Sequence, residues 1–313
     1  MRFIFTLICS LFISGIFGQR SIVIKEDTVS LSIPEGKVKG TLLYPVSKQK
    51  VPLVIFISGS GATDRNGNGP GFQNNSLKML ADSLAQAGIA TLRYDKRGVG
   101  ESNNTLSDER EISIDKYIKD ATAWFALFQA DKRFSSTSFL GHSEGSLIGM
   151  VAARQAGAAK FISVAGSGLR ASVLLKKQLA NLPGTLKEEA FISLDSLAEG
   201  HLLQHATPPS LGALLRPSVQ PYLISWFAYD PAAEIAKLTI PVLVIQGSND
   251  LQVGTDQANL LAASVHQKAV IIDKMNHVLK AVETREQNQQ AYNNPTLPLI
   301  PAFVQNIIRF VKQ

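Results

Sequence analysis

An α/β architecture, with a mostly parallel, doubly wound sheet and a mainly helical insertion, is predicted by three observations. Short continuous apolar runs of strand length recur along the 313-residue chain, for example at 52–58 (PLVIFIS) and 241–247 (PVLVIQG). Such runs suit strands buried on both faces, as in a parallel sheet. Stretches of helical period separate them, which is the rhythm of right-handed β-α-β units. Between residues 170 and 230 that rhythm stops. The stretch holds helical segments and proline-punctuated apolar pieces such as 221–229, PYLISWFAY, and is too long for a loop.

In chain order, 21–33 alternates apolar and polar residues, which suits a half-exposed edge strand. Strands follow at 40–45, 52–58, 89–94, 137–140, 160–165, 241–247 and 269–273. Helices are expected at 76–87, where Leu77, Leu80 and Leu84 share a face, and at 115–130, with Tyr117, Trp124 and Phe128 inward. Further helices are expected from 146, over 186–201 and 255–264, and finally over 296–312. Hydrophobic residues make up 45% of the chain and charged residues 18%, an ordinary globular balance.

The stretch 137–150, TSFLGHSEGSLIGM, reads as strand, sharp turn and helix. Its pentad, Gly141 to Gly145, is G-x-S-x-G, which holds a serine in a strained strand-to-helix turn with its hydroxyl exposed. Glycines two before and two after avoid collision where strand and helix pack closely. Ser143 is therefore the expected nucleophile. A serine hydroxyl needs a base, and the base needs an acid to fix its tautomer. Both belong past the C-terminal ends of parallel strands. Asp250 follows the strand 241–247, and His277 follows 269–273, giving the order Ser, Asp, His that the elbow motif predicts. Asp256 and Asp273 are rival acids, the first placed at a helix start and the second at a strand end. The other histidines are less well placed: His142 neighbours the serine, His201 and His205 fall in the insertion, and His266 in a turn.

An oxyanion needs two backbone donors. The N–H of Glu144, just after the nucleophile, is one. The Ser60 N–H, in the turn Ser58-Gly59-Ser60-Gly61, is the other, with Gly61 as the near alternative. Residues 64–69, DRNGNG, match the first half of a calcium loop, but Asn75 stands where the bidentate glutamate belongs, so a loop shaping the mouth of the site is expected instead. Neither metal nor organic cofactor is called for. Arg97, in the glycine turn 95–102, is expected to anchor that turn by an ion pair.

The net charge of +6 is scattered, without a basic stripe, which argues against nucleic-acid partners. Met1-Arg2 followed by the apolar run 3–17 reads as a signal peptide over 1–18, hence a periplasmic or secreted protein without stable membrane insertion after cleavage. The single cysteine, Cys9, lies inside that leader, so the mature part, 19–313, carries no disulfide.

Five motifs together carry a family resemblance: SGSG at 58–61, DKRGVGES at 95–102, GHSEG at 141–145, YDP at 229–231 ahead of IPVLVIQGSND at 240–250, and MNHVLK at 275–280. The sequence resembles the α/β-hydrolase fold superfamily, among the secreted bacterial carboxylesterases and serine aminopeptidase-like (S33-type) hydrolases. The resemblance covers about 220 residues. It implies a triad of Ser143, Asp250 and His277 under a cap formed by about 170–230, acting on a small acyl ester. One departure is that many relatives carry His-Gly before the oxyanion donor, where Ser58-Gly59 stands here. A peptidase would need an acid for the substrate's ammonium, for which Glu188, Glu189 and Glu199 are candidates. A non-catalytic binding protein on the same fold is the third reading. Leu211, Leu214, Leu215, Trp226 and Phe227 are apolar enough to supply an acyl pocket, with simple packing as the alternative role.

Overall fold

The structure is a computed structural model and describes residues 22–204 and 207–313. The leader expected at 1–18, and His205, lie outside the described residues. Eight strands form one sheet: β1 (Ile24–Ile33), β2 (Gly36–Pro45), β3 (Val51–Ile57), β4 (Ala90–Tyr94), β5 (Phe134–His142), β6 (Phe161–Val164), β7 (Val242–Gly247) and β8 (Val270–Ile272). Their order is β1-β2-β4-β3-β5-β6-β7-β8. The first two strands run antiparallel to each other and β2 runs antiparallel to β4; the remaining pairs are parallel. β1 takes the exposed edge, as its alternation predicts.

Eleven helices accompany the sheet among the described residues: α1 (Ser76–Gln86), α2 (Ile114–Gln129), α3 (Glu144–Ala156), α4 (Ala171–Gln178), α5 (Gly184–Ala198), α6 (Gly212–Leu215), α7 (Gln220–Phe227), α8 (Pro231–Ile235), α9 (Thr255–Ser264), α10 (Arg285–Ala291) and α11 (Pro301–Lys312). The apolar runs explain the layering. Leu53, Ile55 and Ile57 of β3 enter one core, which also holds side chains of α2, α3 and α9. Val54 and Phe56, between them in sequence, enter a second core with α1 and α11. A strand buried on both faces must be apolar at every position, because its side chains alternate. In the first core Trp124 stacks on Phe128 at 6.2 Å and packs against Tyr94 at 5.8 Å. Truncating so large a buried ring typically costs about 3–5 kcal/mol.

Among the described residues the chain from α4 to α8 supplies helices and no strand, and it lines one cavity together with Ser60 and Ser143, which lie past the C-terminal ends of β3 and β5. It packs into the first core through Leu194, Leu197, Leu211, Leu215 and Phe227. α10 is absent from the sequence reading because REQNQQA has no apolar period. A capping box starts it instead, with Thr284 Oγ accepting from the Gln287 amide while the Gln287 side chain accepts in return. Among the described residues no helix is long and apolar enough to cross a membrane.

Candidate active site

The parallel strands deliver their C-terminal ends to one edge, and the residues singled out in the sequence sit on the loops beyond those ends. β5 runs into α3 through Ser143, whose backbone adopts φ 56° and ψ −121°. A positive φ on a non-glycine residue is strained and persists only where its surroundings hold it. Here they are the flanking glycines. A Cβ on Gly141 would lie 2.0 Å from the Gly145 carbonyl oxygen, and one on Gly145 would lie 2.3 Å from the Ile57 carbonyl oxygen. Strand, turn and helix thus approach more closely than any side chain allows. Ser143 also anchors the turn by donating its amide to the Val164 carbonyl, at 2.9 Å.

Past β7, Asp250 is buried and fully engaged. Its Oδ1 accepts from the amides of Gln252 (2.8 Å) and Val253 (2.9 Å), and its Oδ2 from Gln246 Nε2 (2.8 Å) and His277 Nδ1 (2.7 Å). Burial pushes this carboxyl up, but the imidazole of His277 and the two amides outweigh it and hold the group below the usual carboxylate range. Neither Asp256 nor Asp273 takes this place. Asp256 faces solvent against Lys177 at 3.4 Å, and Asp273 meets the exposed Ser248 hydroxyl at 3.4 Å.

His277 follows β8 and is 5% exposed. Its carbonyl accepts from His142 Nε2 at 2.9 Å, and the two rings lie 4.9 Å apart. Burial, reinforced by the neighbouring His277, lowers His142 to about 4, so it is the neutral tautomer that donates from Nε2. His142 therefore fixes the backbone of His277, a task that its place beside Ser143 in sequence did not disclose.

Ser143 stands where two cavities meet. A cavity of about 490 Å³ lies under the helical segment and is lined by Leu174, Leu223 and Trp226 among others. A smaller one of about 200 Å³ opens on the other side and is lined by His142, His277, Phe72 and Tyr292. Ser60, Ser143 and Gln252 line both. The structure therefore brings Ser143, Ser60 and His277 to one place, with Asp250 behind the histidine, and puts Glu144 at the first turn of α3. That N-terminus carries free N–H groups and the positive end of the helix dipole. Gly59 lies against the serine, since a Cβ there would sit 3.2 Å from Ser143 Cβ.

The five apolar residues of the insertion divide between the two roles expected of them. Leu214 and Trp226 line the large cavity, whereas Leu211, Leu215 and Phe227 are buried in the core beneath it. Helical period alone does not say which stripe faces a cavity and which faces the core. The loop at 64–69 is knitted by its own hydrogen bonds. Asp64 Oδ1 accepts from the amides of Asn66 and Asn68, and Asn68 Oδ1 from those of Asn74 and Asn75. Its buried Arg65 pairs with Asp95 at 2.7 Å, fixing this loop to the turn after β4. Arg97 in that turn pairs with Asp120 at 2.6 Å and with Glu35 at 2.7 Å.

Residues 69–197 match a family model described as Serine aminopeptidase, S33. Esterase EstD of Thermotoga maritima is 28% identical over 251 residues, which is 77% of this chain and 57% of that protein. The chain thus spans little more than half the length of that relative. Among solved structures, Est1E from Butyrivibrio proteoclasticus superposes with a TM-score of 0.59 at 17% identity, covering 91% of this chain and 99% of that one. Dienelactone hydrolase from Anabaena variabilis gives 0.56 at 17%, covering 92% and 97%. The chain has the α/β-hydrolase fold. At these identities the solved structures speak for the fold alone.

Proposed function

We propose that this α/β-hydrolase cleaves carboxylic esters through Ser143, His277 and Asp250. The observation that carries the reading is Ser143, strained at a positive φ, at the junction of the two cavities and beside an imidazole whose Nδ1 is held by a buried carboxylate. The similarity to an esterase supports it. Asp250 holds the proton of His277 on Nδ1, which leaves Nε2 free to accept. His277 takes the hydroxyl proton as Ser143 Oγ forms a bond to the ester carbonyl carbon. The carbonyl π electrons move onto oxygen, and the amides of Ser60 and Glu144 hold that oxyanion. Collapse expels the alkoxide, which leaves as the alcohol with the proton from His277. Water then attacks the acyl-enzyme, giving its proton to His277, and the second collapse returns that proton to Ser143 and releases the acid.

The leaving alcohol must lie on the His277 side, because the imidazole protonates it. The large apolar cavity is left for the acyl group. Acids at that cavity are already neutralised. Glu109 pairs with Arg216 and accepts from Ser218, and Glu144 pairs with Lys96 at 3.1 Å. Glu188, Glu189 and Glu199 are exposed to solvent. Among the described residues an ammonium-bearing peptide finds no free carboxylate in this cavity, so an ester with a neutral acyl group is favoured over an aminopeptide. With the leader at 1–18 we further propose that the mature enzyme works outside the cytoplasm.

The test is parallel assay of nitrophenyl acyl esters and aminoacyl anilides, with fluorophosphonate labelling. Ester turnover and labelling at Ser143 are expected, with Ser143→Ala down by roughly 10⁶-fold in kcat. Undiminished hydrolysis by Ser143→Ala refutes the mechanism, and faster cleavage of the anilides refutes the substrate class.

A further inference from the structure

Lys96, Glu144 and Tyr222 form a buried polar cluster behind the site that the ester-hydrolysis mechanism does not use. Lys96, in the turn after β4, is 1% exposed, and the Glu144 side chain is completely buried. The ammonium donates to Glu144 Oε1 at 3.1 Å and to the Gly59 carbonyl oxygen, and it lies 5.0 Å from the centre of the Tyr117 ring. Glu144 Oε2 accepts from the Tyr222 hydroxyl on α7. Burial pushes the Glu144 carboxyl up, and the Lys96 charge opposes that rise.

The partners of this ammonium coincide with the two proposed oxyanion donors. The Gly59 carbonyl belongs to the same peptide unit as the Ser60 N–H. That unit is trans, as are all the described peptide bonds. In a trans peptide C=O and N–H point in opposite directions. Lys96, buried in the interior, draws the carbonyl inward, and the N–H is thereby aimed outward, toward the cavities that Ser60 and Ser143 share. The same ammonium grips the side chain of Glu144, whose own N–H is the second donor. One charge therefore ties together two loops that come from different strands, the turn after β3 and the elbow after β5. A lone buried pair is weak support for stability, because desolvation offsets the attraction. Holding two donors at fixed separation is a task for which such a pair is suited.

Resting on the ester-hydrolysis reading for its catalytic consequence, we propose that Lys96 and Glu144 are positioning residues that set the Ser60 and Glu144 amides as one rigid oxyanion hole. Tyr222 couples this pair to the cap. The variants are Lys96→Met, which removes the donor to Gly59, and Lys96→Met with Glu144→Gln, which also removes the unpaired buried charge. Lys96→Met is expected to be less stable, with the double variant regaining its melting temperature. In the double variant kcat should stay roughly tenfold to a hundredfold low at a KM close to the parent's. Affinity for a boronic-acid analogue of the tetrahedral state should fall by the same factor. Tyr222→Phe should lower kcat in the same direction by a smaller factor. A double variant that recovers both stability and parental kcat overturns the proposal, since the pair would then be only structural.

A readout independent of turnover keeps the two readings apart. The ¹⁵N order parameter of the Ser60 amide should drop from about 0.85 toward about 0.6 in the double variant. If the parent hydrolyses no ester, the functional reading fails while the amide measurement still decides the positioning role. An unchanged Ser60 order parameter refutes that role.

Discussion

Asp250→Asn is the sharpest probe of the site, because each hydrogen bond around the carboxylate can be followed through the change. The native group accepts four: the amides of Gln252 and Val253 on Oδ1, and Gln246 Nε2 and His277 Nδ1 on Oδ2. An asparagine keeps the two amides only by placing its oxygen toward them. Its amide nitrogen then faces two former donors. His277 adapts by becoming an acceptor at Nδ1, which moves its proton to Nε2, where it can no longer accept from Ser143. Gln246, fully buried, loses that acceptor but keeps its bond to the Val253 carbonyl at 2.7 Å. The opposite orientation of the asparagine meets two backbone donors at once and is worse. The wrong tautomer should lower kcat about 10⁴-fold, equivalent to about 5 kcal/mol of transition-state stabilisation. The half-satisfied Gln246 should cost about 1–3 kcal/mol of stability. Stopped-assay kcat with nitrophenyl acetate, alongside urea melts, measures both. A variant retaining a tenth of parental kcat refutes the tautomer reasoning.

Two further outcomes follow from the cavity and from His142. Leu174→Trp should narrow the large cavity and lower kcat/KM for long acyl esters by tenfold or more, since each displaced methylene is worth roughly 1–3 kcal/mol, while acetyl ester turnover stays near parental; equal losses across a chain-length series would place the acyl group elsewhere. His142 is lowered from 6.5 to about 4 by burial, so the unfolded chain binds its proton first: stability from this group is complete above pH 6.5 and is lost as pH falls toward 4, by up to roughly 3 kcal/mol. His142→Gln, which can still donate to the His277 carbonyl, should lose less stability between pH 7 and pH 4.5 in urea melts, and an unchanged loss would assign the dependence to other groups.

The elements that periodicity governs were legible in the chain. β3 and β7 are apolar at nearly every position because both faces are covered, and helix α9 falls at Thr255–Ser264 as its spacing predicts. The elbow was legible for a different reason: glycine at 141 and 145 reports a backbone approach that no other residue permits. Polar supports of the site were not. Gln246 lies inside a strand and reads as an ordinary interruption of an apolar run. Lys96 stands in a glycine turn beside Asp95 and Arg97, which are buried as well, and nothing local tells which of the three reaches the elbow. Their partners lie 4 and 48 residues away. α10 was hidden too, because a capping box rather than an apolar stripe defines it.

The buried charges show what the fold has traded for that geometry. Arg65 with Asp95, Arg97 with Asp120, and Lys96 with Glu144 are all removed from solvent, and all three bind the turn after β4. Burying an ion pair gains little stability over apolar packing, because desolvation offsets its attraction. Three such pairs on one eight-residue turn are therefore better explained by position than by stability. Each fastens the turn to a different neighbour: Arg65 to the loop at the cavity mouth, Asp120 to α2, and Glu144 to the elbow. The turn itself contributes no reacting group. It acts as a hub that holds the mouth of the small cavity, the first turn of α3 and the Gly59 carbonyl in register.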